Sequence, residues 1–386
     1  MIPYGRQEII QDDIDAVTKI LQGDFLTQGP VLHEFEKMVS NYCGSSYAVA
    51  VNSATSALHV ACLALDLGAG DLLWTSPNSF VASANCALYC GAEVDFVDID
   101  ETTYNMSIDH LKAKLKLAEK VGKMPKVVIP VHFAGQPCDM PAMHALSQKY
   151  GFKIIEDASH ALGATYSNIK VGSCLHSDIT VFSFHPVKII TTGEGGIALT
   201  NDAEVSDRMR RFSTHGITKD HSLLVSRPPS EIWNYQQVGL GFNYRMTDIQ
   251  AALGMSQMQR LDDFVVRRQK IASRYNEELS ALSVVPPFQR ANTKSSFHLY
   301  PIRVPEDSSS ISQLQLYNSL ITNGIGANLH YIPIHRQPYY EKMGFKLGDF
   351  PEAEKFHREV ISLPMFPSLS QEQQNKVIHL LIELTN

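Results

Sequence analysis

One lysine stands out by its surroundings. Phe182-Ser183-Phe184-His185-Pro186-Val187-Lys188 leads from an apolar stretch into Ile189-Ile190-Thr191-Thr192-Gly193-Glu194-Gly195-Gly196, and Ile197-Ala198-Leu199-Thr200 resumes the apolar pattern. An amine enclosed by apolar neighbours sheds its proton more readily and can attack an aldehyde to form a Schiff base. The glycines supply a tight turn before the next strand. A second segment, Ile154-Ile155-Glu156-Asp157-Ala158-Ser159-His160, places Asp157 where an apolar strand ends. A carboxylate there is costly to bury unless a cation or a strong donor meets it. The third, Asn52-Ser53-Ala54-Thr55-Ser56-Ala57, follows a strand and opens a helix, whose N-terminus carries roughly +0.5 charge. Small residues let a phosphate approach that backbone, and Thr55 adds a hydroxyl.

Each segment alone has a plainer reading. Lys188 alone reads as a surface lysine with a buried stem, Asp157 as a cap or loop residue and His160 as a structural histidine. Ser53 or Thr55 could simply cap a helix. Together they match one cofactor. Pyridoxal phosphate requires a phosphate site, a carboxylate to hold its pyridine nitrogen protonated, and an amine for its aldehyde.

The elements that must position these groups follow from the pattern. Between residues 47 and 200, strands at Tyr47–Val51, Asp71–Ser76, Glu93–Asp98, Lys126–His132 and Lys153–Asp157 alternate with helical segments at Ser53–Leu67, Ser79–Tyr89, Asp109–Val121 and Asp139–Tyr150. Such alternation predicts parallel βαβ units, with ligands bound where strands end and helices begin. Thr247 to Leu282 reads as one long helical region, and Pro286-Pro287 marks a domain boundary. Beyond it the pattern predicts a strand at His298–Val304 and helices at Ser309–Asn323, Glu352–Val360 and Gln371–Leu384. The Ser308-Ser309-Ser310 run reads as the approach to a helix N-cap.

Composition narrows the classes. The 386 residues carry 33 Lys+Arg against 40 Asp+Glu, a net charge of −7, which disfavours broad nucleic-acid binding. None of the six cysteines forms a CxxC pair or a zinc-spaced cluster, and Cys86 and Cys90 read as core thiols. No metal is expected. The chain shows neither a signal-peptide pattern nor an apolar run of the ~20 residues that span a membrane, so a soluble cytoplasmic protein is expected.

Six segments in order carry a family resemblance over essentially the whole chain. They are Thr27–Pro30, Asn52–Leu58, Glu156–Ala161, Ser183–Gly196, Gly241–Gln250 and His330–His335. The sequence resembles the DegT/DnrJ/EryC1/StrS sugar aminotransferases. The resemblance implies an α/β protein of the aspartate-aminotransferase fold type I. A large domain (1–285) would hold a mostly parallel central sheet, and a smaller α+β domain (286–386) would close the substrate cleft. It implies that Lys188 binds the cofactor aldehyde and shuttles protons, and that Asp157 pairs with the pyridinium nitrogen. His160 stands where many relatives place a Gln on the cofactor's phenolic oxygen. Phe80 would stack on the ring, although its own pattern reads as helix core. Ala54, Thr55 and Ser183 would contact the phosphate, with Asn243 reaching it from a partner subunit of a homodimer.

The nucleotide-sugar cleft would draw on Tyr4, Asp24, Phe25, Leu26, Thr27, Asn328, Leu329, His330 and Tyr331, with His335 and Arg336 near the diphosphate. The implied reaction moves the amino group of L-glutamate, leaving 2-oxoglutarate, to C4 of a UDP-linked 4-keto-6-deoxy-N-acetylhexosamine. Its alternatives are a 3- or 4-aminotransferase for another nucleotide sugar, a dehydratase of the same fold, which Lys188 disfavours, and a non-catalytic homologue.

Overall fold

The computed structural model describes residues 1–228, 230–231, 235–307 and 309–385. Seven strands form the central sheet: β1 (Tyr47–Val51), β2 (Leu72–Thr75), β3 (Glu93–Phe96), β4 (Val127–Ile129), β5 (Lys153–Asp157), β6 (Ile179–Ser183) and β7 (Gly196–Thr200). Their order is β1-β7-β6-β5-β4-β2-β3. The pairings from β6 through β3 are parallel. β7 alone is reversed, antiparallel to both β6 and β1. The cause is local, because no helix links β6 to β7. Phe184 N–H donates to the Gly195 carbonyl at 2.9 Å and Thr192 N–H to the Phe184 carbonyl at 3.0 Å, so the chain doubles back. Every residue of β6 and β7 is buried, as continuous apolar runs predict for a sheet covered on both faces.

Helices cover the sheet. α1 (Gln11–Leu21) and α2 (Pro30–Cys43) precede it, and α3 (Ala54–Ala64), α4 (Ala82–Tyr89), α5 (Ile108–Val121), α6 (Met140–Tyr150) and α7 (Ala203–Ser213) lie between or after its strands. Ser53 caps α3 by accepting from Ser56 N–H, and Ser107 caps α5 likewise from His110 N–H. Cys86 is buried and Cys90 half-buried, and no cysteine forms a disulfide.

The single long helix expected over Thr247–Leu282 is two, α8 (Asp248–Met258) and α9 (Leu261–Leu279). Arg260 leaves helical geometry between them and points its guanidinium at Asp13 and Glu8 on the N-terminal segment. The Asp13 side chain is fully buried and also accepts from Ser256 Oγ and Gln257 Nε2. That junction fixes α1 against α8.

The C-terminal region pairs β8 (Tyr300–Arg303) with β9 (Val360–Leu363). α10 (Gln313–Thr322) starts later than expected, with a capping box between Ser312 and Gln315. The cap anticipated near Ser308 is not at Ser309 or Ser310, and Ser308 itself lies outside the described residues. The helix expected to include Val360 ends at Glu359, because Val360 opens β9.

The cores cross the sequence division at residue 286 in both directions. Ile2 and the second half of α9 pack with β8, β9, α10 and the C-terminal helix Gln371–Thr385. Ile334, Tyr340, Phe350 and Phe356 pack with the core beside α3 and α4. Among the described residues, no helix is long and apolar enough to cross a membrane.

Replacing Arg260 by Met would leave the Asp13 carboxylate buried without its cation, a change that costs roughly 3 kcal/mol. Urea unfolding should show the loss as a lower midpoint at unchanged slope; a midpoint equal to wild type contradicts this role.

Candidate active site

Sheet register brings the three chemical segments together. Gly196 is paired with Val51 on one side and Ser183 on the other, so the ends of β1, β7 and β6 form one row. Asp157 ends the next strand, paired with Val181. The α3 N-terminus rises directly from this row. A Cβ on Gly196 would lie 2.4 Å from the Ala54 nitrogen and 2.5 Å from the Ser53 carbonyl carbon. Only glycine therefore allows β7 to abut the start of α3. Ser56 N–H is capped by Ser53 Oγ, and Ala57 N–H bonds the Ser53 carbonyl. The Ala54 and Thr55 amides find no acceptor among the described residues, leaving two donors at the positive end of the helix.

A cavity of about 800 Å³ opens above this row. It is lined by Tyr4, Ala54, Thr55, Phe80, Asp157, His160, Ser183, Lys188, His330 and Tyr331, ten of the residues singled out in the sequence. Lys188 sits in the loop between β6 and β7, its N–H bonded to the His185 carbonyl. Phe184 anchors that loop in the core, edge-on to Phe35 at 5.3 Å. Burial lowers the Lys188 amine to about 8, against an opposing pull from Asp157. Asp157 accepts from Ser83 Oγ at 2.6 Å, Ser159 Oγ at 2.6 Å and Ser159 N–H at 3.1 Å. Burial, with Lys188 and His330 nearby, holds His160 well below the ordinary imidazole range. His330 falls to about 3, through burial first and then Lys188. The helix-core reading of Phe80 fails, since its ring is 60% exposed on the cavity wall ahead of α4.

The remaining residues lie apart. Asp24, Phe25, Leu26 and Thr27 are exposed in the link between α1 and α2, outside the cavity of this chain. Asn243 is also exposed, its backbone bridged to Thr214. Asn328 and Leu329 stand behind His330: Asn328 bridges to Ser362, and Leu329 packs on the C-terminal core. The expectation for His335 is corrected. It is fully buried, pairs with Glu354 at 2.8 Å and stacks edge-on against Phe350, so it has no face for a diphosphate. Arg336 is engaged by Glu341 at 2.9 Å.

The fold and site fit what the sequence is related to. The profile of the DegT/DnrJ/EryC1/StrS aminotransferase family matches residues 7–382. The chain belongs to this family. It is 38% identical over 380 residues to the spore coat polysaccharide biosynthesis protein SpsC of Bacillus subtilis, covering 98% of this chain and 95% of that protein. It is 38% identical over 369 residues to a UDP-4-amino-4,6-dideoxy-N-acetyl-β-L-altrosamine transaminase of Campylobacter jejuni, covering 94% and 92%. The solved structure of Helicobacter pylori PseC, an aminotransferase of pseudoaminic acid biosynthesis, superposes with a TM-score of 0.87 at 30% identity, covering 99% of this chain and 97% of that one. The chain is thus a PLP-dependent sugar aminotransferase of the α/β type.

The residues present suit that cofactor. Two unpartnered helix amides and the Thr55 and Ser183 hydroxyls suit its phosphate, the buried Asp157 its pyridine nitrogen, the exposed Phe80 face its ring and the Lys188 amine its aldehyde. Sequence reading passed over His298, Glu194 and Gln250, which also line the cavity. His298 precedes β8 and packs on His160 with ring centroids 4.3 Å apart. A lone histidine before a strand carries no pattern of its own. Gln250 was visible as part of a matching segment, yet its side chain reads as half of the α8 capping box.

Two outcomes follow from this geometry. Gly196→Val should displace the α3 N-terminus and weaken pyridoxal phosphate binding at least about tenfold, the scale of one lost charge-assisted bond. Spectrophotometric titration of the cofactor-free chain measures it, with circular dichroism to confirm folding; tight binding by a folded variant contradicts the cradle. The second concerns pH. Lys188 has a folded value near 8 and an ordinary value of 10.5, so the unfolded chain binds more protons between them. Stability of the cofactor-free chain should therefore rise with pH across that window. Lys188→Met should lack this rise and gain roughly 3 kcal/mol at neutral pH. Parallel wild-type and variant slopes would show that the amine is not desolvated.

Proposed function

We propose that this aminotransferase transfers the amino group of L-glutamate to C4 of a UDP-linked 4-keto-6-deoxy-N-acetylhexosamine, in a pathway to pseudaminic acid. The observation that carries the reading is the buried amine of Lys188 facing Asp157 and the α3 N-terminus in one cavity. The identity to the Campylobacter transaminase over nearly the whole chain supports the choice of sugar. The equal identity to SpsC favours a second reading, transfer to a different keto sugar by the same machinery.

When bound, pyridoxal phosphate supplies an aldehyde to receive the amine and a ring that withdraws electrons from the adjacent carbon. The protein supplies position and protons. Ala54 and Thr55 amides, with the Thr55 and Ser183 hydroxyls, hold the phosphate. Asp157, held in position by its serine partners, keeps a proton on the pyridine nitrogen. Phe80 fixes the ring plane. Lys188, its basicity lowered by burial so that the free amine becomes accessible near pH 8, takes the proton from Cα of glutamate and returns one to C4 of the sugar. A base with a value near 8 serves both directions at neutral pH. His160, His298 and His330 stand around this amine, each held by burial below the ordinary imidazole range.

The working unit is a homodimer in this reading. Asn243 and the Asp24–Thr27 link are exposed here and would complete the partner's site. Phe25 and Leu26 are 57% and 47% exposed, which suits contact with a second chain.

The test is direct. The wild-type chain, given glutamate and UDP-4-keto-6-deoxy-N-acetylhexosamines of each ring configuration, should yield a C4-aminated product identified by NMR. Lys188→Ala should retain cofactor binding and lose turnover by at least about four orders of magnitude, beyond the general-base contribution alone. Reaction only with 3-keto sugars, or turnover by Lys188→Ala, overturns the proposal.

A further inference from the structure

Behind His160 lies a braced backbone platform. Ala134 has φ +58° and Gly135 φ +103°, an unusual pair of left-handed residues after β4. A Cβ on Gly135 would lie 2.6 Å from Ser296 Oγ and 2.9 Å from the His160 carbonyl oxygen. Asn105 clamps the segment from one side, accepting from Phe133 N–H at 2.9 Å and donating to the Gln136 carbonyl at 3.0 Å. Ser296 clamps it from the other, its hydroxyl donating to the His160 carbonyl at 2.8 Å and its N–H to the Gly135 carbonyl at 3.3 Å.

The platform aims one group at the imidazole. Ala134 N–H donates to His160 Nδ1 at 3.3 Å. A backbone amide can only donate, so Nδ1 must be the unprotonated nitrogen and Nε2 must carry the hydrogen. A doubly protonated ring would set Nδ1–H against the amide hydrogen. His160 Nε2 lies 3.2 Å from the Tyr331 hydroxyl oxygen. With its direction set from behind, Nε2–H donates and the tyrosine oxygen accepts. The Tyr331 hydroxyl hydrogen is then left for another acceptor, and Tyr331 and His160 both line the cavity. The phenol stays protonated, since burial and Asp157 raise it above its ordinary value. Its ring is held edge-on by Phe133 and His330.

We propose that Tyr331 is the terminal hydrogen-bond donor to an anionic oxygen in the cavity, with His160 a neutral positioning residue locked in its Nε2–H form by Ala134. The inference rests on the cofactor site proposed above. Two sources present such an oxygen: the phenolate of the cofactor ring and a carboxylate of the amino donor. A relay of neutral groups offers this oxygen a directed O–H with no added positive charge beside Lys188. That matters for the amine, because a charged imidazole there would depress its basicity further.

The experiment has a cofactor-free arm and two loaded arms. In the full chain without cofactor, ¹⁵N NMR of labelled histidine, assigned by loss of one signal in His160→Gln, should report His160 as Nε2–H from pH 6 to 8. Protonation at Nδ1 overturns the lock whether or not the reaction is assigned correctly. In the loaded protein, Tyr331→Phe should shift the pH midpoint of the cofactor chromophore by about one unit if the ring phenolate is the acceptor. It should instead raise the glutamate concentration at half-saturation about tenfold, with the chromophore unmoved, if the donor carboxylate is. His160→Gln, which keeps a neutral donor, should preserve whichever property Tyr331→Phe alters, whereas His160→Leu should reproduce the loss. Tyr331→Phe with both properties within about twofold of wild type overturns the proposal, because a charge-assisted bond is worth more than that.

Discussion

The contact on which the site depends is the approach of β7 to the start of α3. Two chain segments more than 140 residues apart meet there with no room for a methyl group at Gly196. The approach is possible because β7 runs backwards through an otherwise parallel sheet. Had a helix joined β6 to β7, the crossover would have made the strands parallel and carried Lys188 away from their ends. The short return instead leaves the Lys188 loop at the edge where β1, β5 and β6 finish. One reversal thus sets the amine, the carboxylate and the helix N-terminus over a single row of backbone.

Burial then does the chemical tuning. Lys188 loses basicity because it is removed from water, and Asp157 limits that loss. The three histidines around it are held neutral, by burial first, and the nearby Lys188 pushes each of them further down. If any one were charged, the cost of burying a second cation beside it would fall on the amine. Neutral imidazoles avoid that conflict while still giving and receiving hydrogen bonds. They need fixed partners to do so. His330 shows the pattern: its Nδ1 meets Ser362 Oγ at 2.9 Å, and its Nε2 faces the Asn328 amide.

Much of this was legible in the sequence because its signals are local. The strand–helix alternation, the small residues at 52–57, Asp157 at a strand end and Lys188 before a glycine turn each announce themselves within a dozen residues. What escaped notice is set by distant partners. The break at Arg260 follows from a buried acid almost 250 positions earlier, and no helical period reveals it. His335 looked available for an anion because its segment matched the family, but Glu354 occupies it. His298 was missed for the converse reason, since only the folded chain places it on His160. The reversal of β7 lies between these cases: its glycine turn is visible, while its pairing with β1 is a property of the sheet.

The net charge of −7 also acquires a structural meaning. Long-range attraction cannot gather a phosphorylated cofactor and a nucleotide sugar onto an acidic protein, so the anion sites must be short-range. The unpartnered α3 amides are suited to that demand, since a helix end offers direct hydrogen bonds. The cavity also draws on both parts of the molecule. Tyr4 lies on the N-terminal segment whose Ile2 belongs to the C-terminal core, and Tyr331 follows Leu329, which packs on that core. Asp157, Ser183 and Lys188 belong to the sheet. A ligand bridging the two sets adds contacts between cores that otherwise meet through segments such as Ile334–Phe356. A ligand that fills the site therefore touches both parts of the molecule at once.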